Sequence, residues 1–115
     1  MIKNILLTLT LLTSLAFGSS LTSSQASSHI GEYATVCGKV VRGYHALLRD
    51  GEPTFLNLGR EYPNQQFTIV IWGDDRDQFN KPETKYTGKM VCVIGFIDSV
   101  RGIPQIVVES PLQVR

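Results

Sequence analysis

From Tyr33 onward the chain is cut into short apolar runs by glycine, proline, aspartate and asparagine, at the spacing of an all-β domain. The alternation assigns faces. In YATVCGKVV, residues 33–41, Ala34, Val36, Gly38 and Val40 point one way and Thr35, Cys37 and Lys39 the other. RGYHALLRDGEP (42–53) reads as a loop, with Asp50-Gly51 and Pro53 as turn formers, and TFLNL (54–58) as a second strand. QFTIVIW (66–72), KMVCVIGFID (89–98) and IPQIVVES (103–110) are the third, fourth and fifth strands, with SVRG a tight turn between the last two. In the third, Phe67, Ile69 and Ile71 suit an interior, which leaves Thr68, Val70 and Trp72 outward. In the second, Leu56 and Leu58 read as inward, so the outward set lies among Thr54, Phe55 and Asn57.

Between the third and fourth strands lies DDRDQF, which suits a short helix; NKPETKYTG after it reads as a loop. Five strands with one short helix between strands 3 and 4 is the order of an all-β, five-stranded OB-fold Greek-key barrel. The aspartates at 74, 75 and 77 invite a calcium reading, but a wrapping loop needs a glycine at its sixth position and an acid at its twelfth. DDRDQFNKPETK has neither. The simpler expectation is that Asp74 or Asp75 caps the helix, Asp77 favours its positive end, and Phe79 plugs the barrel. No arrangement of histidines, cysteines and acids has zinc-site spacing, so no metal and no cofactor is expected.

Ahead of this domain, Lys3, an uncharged stretch from Ile5 to Phe17 and a Ser/Thr-rich segment follow the order of a secretory signal peptide. Its apolar part falls short of the ~20 residues that span a bilayer, so an integral membrane protein is not expected. Residues 1–26 read as the leader, with cleavage after Gly18 or Ala26, and 27–115 as one domain, periplasmic or secreted, with His29 in a disordered start. The chain carries 11 Lys+Arg and 10 Asp+Glu; without Lys3 the charges balance, which removes overall basicity as an argument for nucleic acid. An even pair of cysteines in an exported chain favours a disulfide, Cys37 with Cys92, over two buried thiols. The first and fourth strands are neighbours in this fold order, so the two sulfurs can meet.

GEYATVCGKV, TFLNLGREYPNQQFTIVIWGDDRDQF, YTGKMVCVIGFI and RGIPQIVVESPLQV together resemble the OB-fold domains of bacterial exported proteins, over nearly all of residues 31–115. A more distant similarity is to nucleic-acid-binding OB-folds of the tRNA/helicase type, where an FxxL second strand and an apolar third strand face the ligand. That resemblance implies a binding module; it carries less about activity, because one fold hosts many ligands.

The ligand face of such a fold is the outer surface of strands 2 and 3, bordered by the loops after strands 1 and 4. The candidates there are Phe55, Asn57, Thr68 and Trp72, with Tyr44 from the first loop, Lys39 and Arg101 at the edges, and Arg42, His45 and Arg49 in a basic rim. Phe55 and Trp72 are either stacking platforms for single-stranded nucleic acid or covers for the barrel end. The second functional reading is a module that binds an exported protein, peptide or glycan on the same face. No nucleophile elbow, phosphate loop or paired carboxylates with a defined separation is present, and no enzyme is expected.

Overall fold

A computed structural model describes residues 19–115; residues 1–18, which carry most of the expected leader, lie outside it. The described chain is mostly β, a mixed sheet of seven strands with a few single-turn helices. The strands are β1 (Leu21–Thr22), β2 (Tyr33–His45), β3 (Thr54–Leu58), β4 (Phe67–Ile71), β5 (Met90–Phe96), β6 (Asp98–Val100) and β7 (Ile103–Val107). Their order across the sheet is β1-β2-β3-β4-β7-β6, and β5 lies off this path on β2.

The expected five-stranded closed barrel is therefore corrected in both count and closure. Two causes account for it. The expected fourth strand is broken at Ile97, whose N–H donates to the Glu32 carbonyl at 2.9 Å while its carbonyl accepts from Gly31 at 2.7 Å. With that backbone engaged elsewhere, β5 pairs with β2 and β6 pairs with β7. The second cause is β1, which comes from residues assigned to the leader: Leu21 and Thr22 run parallel to Val36 and Cys37.

Strand β2 organises the sheet. Its first half pairs with β5, from Tyr33 opposite Phe96 to Lys39 opposite Met90. Its second half pairs with β3, from Val40 opposite Leu58 to His45 opposite Thr54, so the expected loop at 42–45 is strand. A register shift between Val40 and Arg42 separates the halves. Such a bulge bends the strand and lets one segment serve two neighbours. Gly43 follows it, and a Cβ there would lie 2.4 Å from the Glu83 carbonyl oxygen, so only glycine lets the following helix approach.

The inward faces agree with the alternation of the sequence. Val36, Val40, Leu56, Leu58, Phe67, Ile69 and Ile71 are wholly buried, and Phe79 packs among them as expected. Ala26 is also wholly buried in this core. Near it, Ser23 is buried and donates from Oγ to Gln66 Oε1 at 2.7 Å. His29 stands in a 3-10 turn over Ala26–His29 and pairs with Glu32 at 3.0 Å, so the expected disordered start is a folded one.

Two helical turns stand where one was expected, α1 (Gly73–Arg76) and α2 (Pro82–Lys85). Trp72 holds the cap position of α1 with no side-chain cap, and Asp74 and Asp75 lie inside its first turn. Asp77 sits at the C-terminal end, where the helix dipole offers it nothing. These are corrections to the capping assignment. The first acid, Asp74, falls two residues after the cap position because Gly73 enters the helix instead of ending the strand.

Cys37 and Cys92 are directly opposite on β2 and β5 and form a disulfide, with Cα atoms 4.0 Å apart. Their backbone groups point away from each other: the Cys37 carbonyl accepts from Ser23 and Cys92 exchanges two bonds with Arg115. They are thus a non-hydrogen-bonded antiparallel pair, the closer kind, which suits the short reach of a disulfide.

Candidate binding face

The register of four ladders places two parallel rows of side chains on the side of the sheet away from the core, where Val70, expected outward, is buried at 2% exposure. Leu56, Ile69 and Ile106 point into the core, so their strand neighbours point out. Tyr44 lies opposite Phe55, Phe55 opposite Val70, and Val70 opposite Val107. Two residues along each strand, Arg42 lies opposite Asn57, Asn57 opposite Thr68, Thr68 opposite Gln105, and Gln105 opposite Asp98. An apolar, aromatic row therefore runs beside a polar one. Adjacent strands lie ~4.8 Å apart, so the path from β3 to β6 is roughly 14 Å.

The loop after β2 closes the aromatic end. The Arg49 guanidinium stands 5.3 Å from the centre of the half-buried Phe55 ring, a cation–π contact of about 0.5–1 kcal/mol at a partly exposed site. Gly51 has φ +78°, and a Cβ on it would come within 3.0 Å of the Trp72 indole. The loop backbone thus packs against the Trp72 ring, yet the residue keeps 43% exposure. Trp72 thus packs against the loop while part of its ring stays exposed. Tyr44, opposite Phe55, is exposed, as are Leu47 and Leu48 in the loop.

The polar row is held by its own hydrogen bonds. Gln65 Nε2 donates to Thr68 Oγ1 at 3.3 Å, and Thr68 Oγ1 donates to Asn57 Oδ1 at 3.4 Å. Asn57 and Thr68 are only 5% and 6% exposed, although they lie on the outer side of the sheet. Two acceptors of this region, Gln65 Oε1 and Asp98 Oδ1, are buried without a partner among the described residues. An unpaired buried acceptor costs about 1–3 kcal/mol, and both atoms are covered by the surrounding chain. At the other end Arg42 pairs with Glu61 at 3.5 Å, both well exposed, a pair of little energetic weight.

Of the residues expected at the site, Tyr44, Phe55, Asn57 and Thr68 are brought together in the two rows, with Trp72 and Arg49 at the loop end. Lys39 points outward on the β5-paired half of β2, opposite Met90 and across the bulge from Arg42. Arg101, with φ +53°, occupies the β6–β7 turn with Gly102. It is exposed at the end away from Trp72. Thr54 is not outward. It is wholly buried and accepts from Arg76 Nη1 at 2.8 Å. His45 does not join a rim; it is in register with Thr54, and its Nε2 is buried without a partner. Arg76 also donates to Glu83 at 2.8 Å, and this bond holds the Glu83 carboxyl below its ordinary value. Gln65, Gln105 and Asp98 were missed. For Gln105 the signal is the alternation on the fifth strand, which gains meaning only once β7 is known to run parallel to β4; Gln65 just before the third strand and Asp98 at the end of the expected fourth carry no such signal.

A second exposed face lies on the first half of β2 and on β5. Tyr33 and Phe96 are opposite each other and exposed, Met90 is exposed at the other end, and the Cys37–Cys92 bridge lies between them. Among the described residues no group of three or more histidines, cysteines, aspartates and glutamates is placed to hold a metal ion. No helix among them is long and apolar enough to cross a membrane.

No protein-family description matches the sequence, and no curated protein matches it. Among solved structures, the chain is similar to a putative aspartyl-tRNA synthetase from Leishmania major Friedlin, with a TM-score of 0.53 and 12% identity. What is shared is the fold. The likeness covers 80% of this chain and only 20% of the synthetase chain, so this domain spans a fifth of that protein's length.

Proposed function

We infer that this chain is a small exported binding module of OB-fold type that takes single-stranded nucleic acid across the outer face of β3 and β4. On this reading β5 and β6 act as one bent strand around Ile97, linking β2 to β7 in the order of that fold. The observation that carries the function is the pair of adjacent rows. Tyr44, Phe55 and Trp72 offer ring surfaces for bases, the nearly buried Asn57 and Thr68 form a polar floor between them, and Arg42 and Arg49 supply cations at the edges of the face. Stacking is worth ~1–3 kcal/mol per base and tolerates any sequence, which suits a shallow face. The module acts by binding, without a catalytic step.

Export is supported by the leader-like residues 1–18 and is compatible with the disulfide. Of the two cleavage positions, the one after Gly18 keeps β1, the Ser23–Gln66 bond and the buried Ala26; the one after Ala26 removes all three.

Fluorescence-anisotropy titration with single-stranded DNA at low and moderate salt tests the function. The expected result is binding that weakens as salt rises, and Phe55→Ala weakening it further while the domain stays folded. Absence of salt-sensitive binding sinks this reading. A second reading, capture of an exported protein, peptide or glycan on the same face, draws support from the balanced charge and from Leu47 and Leu48 exposed at the loop tip.

A further inference from the structure

We propose that the outer face of β2 and β5 is the interface of a homodimer, with a second copy of this chain packed sheet to sheet across it. The surface lies on the other half of β2 from the aromatic and polar rows, and it does not rest on the single-strand reading. Val36, Val91 and Val93 point into the core, so the alternate residues stand outward in four cross-strand pairs. These are Tyr33 with Phe96, Thr35 with Ile94, Cys37 with Cys92, and Lys39 with Met90. Lys39 alone among them is charged. Unlike the nearly covered polar row, this face is open: Tyr33 and Met90 are 70% exposed and Phe96 54%. Aromatic side chains bury about 150–250 Å² each, so Tyr33 and Phe96 together offer roughly 250 Å². Met90 extends the patch to roughly 400 Å², a size that often marks an interaction site on a monomer. The bridge at the centre has no charge and no hydrogen-bond donor, so covering it leaves nothing polar unpaired.

The observations on charge, edges and symmetry point to a second copy as the cover. The chain is nearly balanced at a net +1, so two copies meet without long-range repulsion. Both strand edges beside the bridge are occupied: β1 runs along β2, and the Arg115 backbone pairs with Cys92. A partner therefore has the face to pack on, not an edge. The face is also complementary to itself, as a two-fold contact requires. An axis parallel to the strands, midway between β2 and β5, sets Tyr33 over the second copy's Phe96 and Thr35 over its Ile94. It sets bridge over bridge, and Lys39 over the second copy's Met90. Aromatic rings then meet twice, and the Lys39 stem lies along a methionine while its ammonium reaches water. The flanks select this axis. Thr22 beside Cys37 and Arg115 beside Cys92 are both exposed. The parallel axis puts Arg115 over the second copy's Thr22, whereas an axis across the strands would put two Arg115 guanidinium groups together.

The patch is about half of the ~800 Å² that each partner covers in a standard complex, so the dimer is weak, with a dissociation constant on the order of 100 µM. Sedimentation velocity of the purified protein, from micromolar to millimolar concentration, should show reversible dimerisation that added salt does not weaken, because apolar contact carries it. Phe96→Ser should weaken it by about tenfold or more while the melting temperature holds. Met90→Lys, which sets a second ammonium beside Lys39 of the other copy, should do the same. Leu48→Ser, in the β2–β3 loop, should leave it unchanged. A protein that stays monomeric throughout overturns the second copy as occupant. So does a dimer that Leu48→Ser abolishes, or one that both face variants leave intact, since either places the contact elsewhere. Cosedimentation with phosphatidylcholine vesicles that Phe96→Ser abolishes would give the face to a membrane and overturn the dimer.

Discussion

The two halves of β2 present two different outer surfaces. Beyond Arg42 the strand contributes to adjacent aromatic and polar rows, with acceptors left unpaired and a loop folded over one end. Before Val40 it faces outward with Tyr33, Thr35, Cys37 and Lys39, crosslinked through Cys37 to Cys92 on β5. The difference teaches that the strand divides its labour at the bulge. One half is fastened covalently and spends its polar backbone on β1 and β5. The other half carries no crosslink and keeps hydrogen-bonding capacity in reserve.

The comparison can be broken most forcefully at the crosslink. Replacing both cysteines by alanine should lower unfolding free energy by about 4 kcal/mol, the loop-closure value for a bridge 55 residues apart, while DNA affinity below the melting point stays unchanged. Urea titration with and without the bridge measures the first, and anisotropy the second. A parallel loss of affinity would mean that the halves are not independent.

Next in size is the N-terminal segment that buttresses the crosslinked half. A chain beginning at Ser27 loses β1, the Ser23–Gln66 bond and the buried Ala26. It should be less stable than one beginning at Ser19 by about 3 kcal/mol, from lost packing and one buried hydrogen bond. Equal urea midpoints would show that the segment is only draped on the fold.

Arg76 ties both helical turns to the start of β3, on the side of the sheet away from the rows. Arg76→Met should cost about 2–3 kcal/mol by removing charge-assisted bonds to Glu83 and Thr54. The linkage has a definite sign. Glu83 is lowered from its ordinary 4.5, chiefly by the Arg76 hydrogen bond, so its contribution is present above that value and lost as pH falls through the lower folded value. Acid titration of stability should therefore be flatter in Arg76→Met than in the parent through that window.

The smallest effects sharpen the comparison. Arg42→Ala should reduce the slope of log affinity against log salt by about 1, the signature of one lost phosphate contact. Lys39→Ala, across the bulge, should leave it unchanged. Equal slopes for the two variants would dissolve the distinction between the faces.

Much of this fold was legible because alternation is local. A strand with period 2 declares its inward set, which is why Val36, Leu56, Phe67 and Ile69 were placed without knowledge of any partner. Two residues at strand ends were assigned wrongly. Thr54 shares the parity of Leu56 and Leu58, so the alternation itself places it inward, where it accepts from Arg76, and His45 was read as loop and given no face at all. The helix caps failed for another reason: Gly73 belongs equally well to a strand end or a helix start, and its N–H bond to Gly51 across the loop chose the second.

By itself the sequence determined the β character, the inward faces, the core position of Phe79 and the two cysteines as a candidate pair, all consequences of side-chain period and composition. Only the tertiary structure decided which outward residues stand side by side. Thr68 meets Gln105, and Gln105 meets Asp98, because β4 and β7 pair in parallel across an intervening stretch that contains β5, β6 and both helical turns. The register of such a pairing is set by how distant segments fill a shared core. No local pattern around Thr68 or Asp98 records that they will become neighbours in one row.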